Sequence, residues 1–275
     1  MIVSKLLFKR ILGMKCIPKM HLIRGISSTK TWKPGPVLLK YQEKIANKEL
    51  EEDEFQAKVV LKLDVLDQKL ANYSPVKPTF LRRLFSSGSI SRRGTSEDQH
   101  VKGSPRGVYL YGSVGCGKTM LMDLFFEYCS VPDSDKKRIH FHSFMLDVHN
   151  RIHEQKQKQD NFTSSRKALS YNPIPAVARD LVDEAWLLCL DEFQVTDIGD
   201  AMILKQVFEH LYANGSVIVA TSNRAPDDLY KNGLQRHAFL PFIPLLKQHS
   251  HVLALDSGVD YRQKSLPSKQ KIFLM

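Results

Sequence analysis

Apolar and polar positions change their rhythm several times along this chain. Short apolar runs at 108–111, 138–144, 187–190, 217–221 and 252–255 read as strands. Between them, residues 118–129, 145–158, 174–185 and 200–213 place apolar side chains three and four apart, which is helical spacing. Five apolar strands alternating with helices predict an α/β fold, a parallel five-stranded sheet flanked by helices on both faces. Upstream, Phe55, Val59, Val60, Leu63, Leu66 and Leu70 repeat at helical intervals, and Leu38, Leu39 and Tyr41 precede them. The acidic run Glu51-Glu52-Asp53-Glu54 suits the positive end of that helix, and Pro75 and Pro78 stop it. Residues 86–104 lack hydrophobic periodicity and are rich in Ser, Gly and charge, as a linker or surface loop is. Pro105 then opens the main core.

The first strand of that core runs into chemistry. Residues 112–119 read Gly-Ser-Val-Gly-Cys-Gly-Lys-Thr, a complete GxxxxGK[ST] pattern with a strand before it and a helix after it. Gly112, Gly115 and Gly117 let successive N–H groups converge on phosphate oxygens, and the helix N-terminus adds its positive dipole end. With Ser113, Val114 and Cys116 they form the candidate ATP-binding loop. Lys118 is placed to reach β- and γ-phosphates, and the Thr119 hydroxyl to ligate Mg²⁺. The competing reading, a chance glycine-rich turn, does not require the strand, the helix or the acids found downstream.

Those acids are Asp191 and Glu192, at the end of the all-apolar run Leu187–Leu190. Asp191 is the candidate for supporting Mg²⁺ and Glu192 for activating the attacking water; a helix cap is the alternative use for such a pair. The run 217–221 likewise ends in polar residues, so Asn223 falls at the carboxyl edge of a parallel sheet, where it can sense the γ-phosphate or simply form a turn before Pro226. Arg236 is the candidate arginine finger, acting across a subunit boundary, with Arg224 as runner-up and a surface salt bridge as the plainer role. His140, His142, His149 and His153 have spacings that could ligate zinc, although backbone or carboxylate partners satisfy histidines as well.

Composition narrows the reading. The formal charge is +11, yet nine of the 40 basic residues precede the first acid, Glu43; what remains is 31 basic against 29 acidic side chains. A nearly neutral folded part gives little reason to expect a nucleic-acid partner. The acid-free, basic and apolar residues 1–26 have the composition of a mitochondrial presequence, a disordered basic tail being the alternative. No apolar stretch approaches the roughly 20 residues of a membrane span. The four cysteines include no CxxC pair, so neither a disulfide framework nor a zinc site is expected; Cys116 is either oxidation-sensitive or a tolerated loop residue.

Taken together, Gly112–Thr119, the HFHSFM segment at 140–145, LCLDEFQVTD at 188–197, ATSNR at 220–224 and LYKNGLQR at 229–236 resemble the mitochondrial ATPase-family-gene-one-like proteins, the lactation-elevated-protein-one family. The resemblance runs from about residue 35 to 262. It implies a P-loop NTPase core of the AAA+ class at 105–255, beside an N-terminal helical segment at 27–85. It also implies ATP hydrolysis with Mg²⁺, a homo-oligomeric ring, and a place in the matrix or peripherally on the inner membrane. Quality control or remodelling of mitochondrial protein substrates, including respiratory-chain subunits, is the implied role. A guanine-reading Asn/Thr-Lys-x-Asp pattern is not what Thr221-Ser-Asn-Arg224 offers, which disfavours a GTPase. AAA+ unfoldases line a pore with an aromatic residue after the second strand, making Phe144, with Met145, a candidate against the alternative of core burial. The family's C-terminal helical lid is expected to be largely missing from 256–275. A non-catalytic ATP-binding adaptor of full-length subunits is the competing function, and a DNA-helicase loader a third.

Overall fold

The structure, a computed structural model, describes residues 33–75, 103–162 and 171–255. The expected presequence, nearly all of the linker, Pro78 and the tail from 256 lie outside the described residues.

Two helices come first, α1 (Pro36–Ala46) and α2 (Glu54–Leu70). Asp53 caps α2, its carboxylate accepting from the N–H groups of Phe55 at 2.6 Å and Gln56 at 3.2 Å, so the acidic run begins the helix as its charge suggested. Asp64, fully buried on α2, accepts from the N–H groups of Gly35 and Leu38 and so caps α1 from across the helix pair. Asp67 accepts from the Ser130 N–H and hydroxyl, tying α2 to the segment after the phosphate loop's helix.

The core follows as β1 (Gly107–Tyr111), α3 (Lys118–Tyr128), β2 (Lys136–His140), α4 (Phe141–Phe162), α5 (Ile174–Glu184), β3 (Leu187–Asp191), α6 (Ile198–Ala213), β4 (Val217–Ser222), α7 (Arg236–Phe239), α8 (Phe242–His249) and β5 (Ser250–Ala254). All five strands are parallel, in the order β2-β3-β4-β1-β5. Residues of β3 and β4 are buried from end to end, which requires cover on both faces. The helices α1, α2 and α3 pack together as one group, while α5, α6 and α8 join in a second group with α4 and α7.

One expected boundary is corrected. The second strand ends at His140 rather than running to 144, and α4 begins at Phe141. The cause is periodicity: Phe141, Phe144, Met145 and Val148 are all buried and recur at helical intervals. Phe144 is 2% exposed and meets Phe208 edge-on at 6.4 Å, so it belongs to the core and not to a pore. Exposing such a ring would forfeit roughly 1.5–3 kcal/mol. The connection from β4 to β5 also holds two helices, α7 and α8, where none was expected. Pro241 and Pro244 look like breakers but sit at the N-cap and in the first turn of α8, where proline is tolerated.

Candidate functional site

Parallel strands send their carboxyl ends to one edge, and β1, β3 and β4 deliver the expected residues there. The chain leaves β1 at Gly112, whose N–H donates to the Ser222 carbonyl of β4 at 3.3 Å. A Cβ on Gly112 would lie 2.0 Å from the Leu255 carbonyl oxygen, so only glycine fits between the two strand ends. Gly115 and Gly117 have φ of 86° and 93°, the left-handed region that glycine enters without steric cost. Those turns fold the loop around Lys118, whose Nζ donates to the Gly112 and Ser113 carbonyls at 2.9 and 2.6 Å. Cys116 is buried beneath the loop with its sulfur 3.6 Å from that ammonium, which fits a packed loop residue rather than an exposed oxidation site. Ser113, Val114 and Thr119 are exposed.

The acid pair is organised by a residue that sequence reasoning passed over. The Thr221 hydroxyl on β4 donates to Asp191 Oδ1 at 3.1 Å and accepts from the Glu192 N–H at 3.2 Å. Asp191 is buried; Glu192, at φ 54°, turns into the left-handed region and is exposed. Holding a non-glycine residue there costs roughly 1–2 kcal/mol. The next residue offsets that cost. Phe193 is fully buried among Tyr109, Phe141, Phe208 and Phe242; its N–H donates to the Thr221 carbonyl, and its carbonyl accepts from the Ser222 hydroxyl. One side chain is thus driven into the core so that its neighbour faces out.

A second missed residue is Arg138 on β2. Its Nε donates to Asp191 Oδ2 at 2.7 Å, and its Nη1 pairs with Asp123, one turn beyond Thr119 on α3. Both oxygens of Asp191 are therefore engaged. No local motif flags Arg138; its pairing exists only because β2 lies beside β3, with Arg138 in register with Cys189.

Asn223 and Arg224 are exposed past β4 and, with Gly112, Ser113 and Lys231, line a cavity of about 700 Å³ against the loop. Tyr109 donates its hydroxyl to the Arg224 carbonyl at 2.9 Å and steadies this turn. Arg236 stands at the start of α7, its Nη2 donating to the Asp227 carbonyl at 2.6 Å. It does not line the cavity, whereas Arg224 does. Together with Lys231, these arginines hold the Asp228 carboxyl below its usual range, the hydrogen bond from Lys231 contributing most.

The four histidines do not converge. His140 ends β2, His142 is exposed on α4, His149 bonds Asp200 at 2.8 Å and His153 bonds Gln157 at 2.8 Å. Among the described residues no cluster of three metal-ligating side chains occurs. Cys116, Cys129 and Cys189 are buried free thiols, and burial pushes the Cys189 thiol far up.

A five-stranded parallel sheet in this order, with a glycine-rich phosphate loop after β1 and paired acids after β3, defines a P-loop NTPase of the AAA+ class. Residues 37–275 match the family model described as AFG1-like ATPase. The chain belongs to the AFG1-like ATPase family. It is 50% identical over 181 residues to "Lactation elevated protein 1 homolog B" of Danio rerio, covering 64% of this chain and 35% of that protein. It is 41% identical over 217 residues to "Cell division protein ZapE" of Escherichia coli, covering 78% of this chain and 52% of that one. The chain therefore spans between about a third and a half of the length of these relatives. Among solved structures, the crystal structure of DnaI covers 78% of this chain and 87% of its own, at a TM-score of 0.46 and 13% identity.

Proposed function

We propose that this chain binds ATP with Mg²⁺ and hydrolyses it, and that the cycle is coupled to remodelling or quality control of mitochondrial proteins, respiratory-chain subunits among them. The observation that carries the hydrolytic part is the Thr221 bridge: one hydroxyl fixes a buried Asp191 and turns an exposed Glu192 outward, at the sheet edge that also bears the phosphate loop. In this reading the N–H groups of residues 112–119 cradle the phosphates. Lys118 exchanges its two carbonyl partners for phosphate oxygens, to which a charge-assisted bond is stronger. Glu192 accepts a proton from the attacking water, Asn223 orients that water or senses the γ-phosphate, and Arg236 of an adjacent copy neutralises charge on the transferring group.

The hydroxyl of Thr119 and the carboxylate of Asp191 are hard oxygen donors of the kind Mg²⁺ takes. When bound, the ion would bridge and neutralise phosphate charge. Asp191 would have to share an oxygen already bonded to Thr221 or Arg138.

The mitochondrial location rests on the acid-free basic segment 1–26 as a presequence and on the family of the Danio rerio relative. No described helix is long and apolar enough to cross a membrane. In the same reading an N-terminal helical segment precedes the ATPase core at 105–255. Copies assemble as a homo-oligomeric ring.

A second reading, a nucleotide-binding adaptor that turns over little ATP, is favoured by one observation: Arg138 already compensates the charge of Asp191. ATP turnover and ATP binding by the chain and by Glu192→Gln separate the two. Turnover present in the parent and lost in the variant, with binding kept in both, supports the hydrolase; binding without turnover in either supports the adaptor. No ATP binding sinks both.

A further inference from the structure

The carboxylate of Asp191 is already answered by a positive charge. Asp191 is 4% exposed, and a carboxylate so buried needs a paired cation with its remaining lone pairs hydrogen-bonded. Arg138 supplies the cation, its Nε donating to Oδ2 at 2.7 Å, while the Thr221 hydroxyl donates to Oδ1. The parallel register explains the reach. Arg138 lies beside Cys189, two residues before Asp191 and therefore on the same face of the sheet.

The same guanidinium has a second anchor. Its Nη1 pairs with Asp123, which is half-exposed on α3, four residues after Thr119 and so on the same helix face. Arg138 thus has one carboxylate inside the proposed metal site and one just outside it. A guanidinium and a divalent cation compete for the same lone pairs of Asp191. With Mg²⁺ on that carboxylate, a guanidinium still bonded to Oδ2 would set like charges side by side, which is repulsive. Asp123 lets Arg138 leave Asp191 and keep a charge partner.

The geometry points to Arg138 as a placeholder for Mg²⁺: it holds Asp191 in the metal-free chain and withdraws onto Asp123 when the metal arrives with the nucleotide. Arg138 and Asp123 are therefore positioning residues with opposite effects on metal affinity. Arg138 opposes the metal while keeping the empty site charge-balanced; Asp123 favours the metal by taking the guanidinium away. This inference rests on the Mg²⁺–ATP reading above and concerns how its metal site is filled.

The test is equilibrium binding of a fluorescent, non-hydrolysable ATP analogue to the full chain, in Mg²⁺ and in EDTA. The ratio of the two affinities reads the metal's contribution without turnover. Arg138→Gln should raise that ratio about tenfold, and Asp123→Asn should lower it about three- to tenfold. A purely structural role for the pair would lower it in both. In the double variant Asp123→Asn should add nothing to Arg138→Gln, because Asp123 acts only through the guanidinium; a mere change of local field would still lower the ratio there. An unchanged or lowered ratio in Arg138→Gln overturns the inference, and so does an Asp123 effect that persists in the double variant. Asp123 is half-exposed, so its variant decides the matter alone if Arg138→Gln does not fold. Its fall in ratio should persist at about 1 M salt, where long-range fields are screened; a fall that is absent, or abolished by salt, overturns the inference. Equal binding by the parent in Mg²⁺ and EDTA overturns it too. No binding by the parent in either would instead sink the ATP reading itself.

Discussion

The phosphate loop has two neighbours, and they are built in opposite ways. On the acid side, Asp191, Glu192 and Asn223 stand at the ends of β3 and β4, where the parallel sheet sets them at a common edge. On the helical side, buried polar groups of α2 tie it to α1, through Asp64, and to the residues flanking α3, through Asp67 on Ser130 and Gln56 on Cys116. The acid side keeps Glu192 and Asn223 exposed and Asp191 and Thr221 buried. The helical side buries nearly everything polar that it uses, Asp64 and Asp67 being at most 1% exposed. Buried carboxylates that each accept two or more bonds hold structure firmly, whereas an exposed Glu192 at a left-handed turn is free to meet a ligand. The contrast teaches that one side of the loop is arranged for chemistry and the other for rigidity.

If that division holds, substitutions on the two sides should separate cleanly. The largest effect is expected from Glu192→Gln, a loss of about 10²–10⁴ in ATP turnover. Its unfolding free energy should stay within the roughly 0.5 kcal/mol typical of surface changes. A large fall in melting temperature would break the division on the acid side. Asp64→Ala removes the acceptor for two backbone N–H groups and should destabilise the chain by about 2–4 kcal/mol in denaturant unfolding. Finding full stability with altered nucleotide affinity would break it on the helical side. Thr221→Val lies between: with no hydroxyl to place Asp191 and Glu192, turnover should fall about tenfold at unchanged ATP affinity. A matching loss of affinity would mean that Thr221 serves binding instead.

The smallest effect concerns His251 on β5. Burial, and then the charges of Arg106, Lys69 and Lys62, push its imidazole below the ordinary value of 6.5. The unfolded chain therefore takes up this proton first as the pH falls. Its share of stability is complete above 6.5 and is lost progressively below that, toward the depressed native value. A shallow decline in melting temperature on acidification below 6.5 should flatten in His251→Gln. An unchanged slope would assign the decline to other groups.

What could be read from the chain beforehand follows the same line. Gly112–Thr119 and Asp191-Glu192 are contiguous, so the chemistry they suggest is visible in a short window. The strand read at 217–221 is visible for the same reason, as a nearly unbroken apolar run, and the structure carries it one residue further, to Ser222. Arg138, Thr221 and Gln56 were not, because each acquires its partner through tertiary placement: a neighbouring strand for the first two, a helix some 60 positions upstream for the third. Periodicity misled at the junction of β2 and α4, where Ile139 and Phe141 satisfy a strand's alternation while Phe141, Phe144 and Met145 satisfy a helix. Four buried positions at helical spacing decide it. The paired helices α7 and α8 were hidden by prolines that occupy the few helix positions open to them.

For anyone weighing sequence variants of this chain, Arg138 is the position where similarity of amino acids is least informative. Its guanidinium serves two carboxylates, Asp123 and Asp191, from different nitrogens. A lysine would keep the charge but present a single ammonium at the end of a flexible stem, unable to span both with the same planar fork. A substitution usually filed as benign would thus uncouple the helix that carries Thr119 from the strand that carries Asp191. At this position the charge could be preserved and the coupling still be lost.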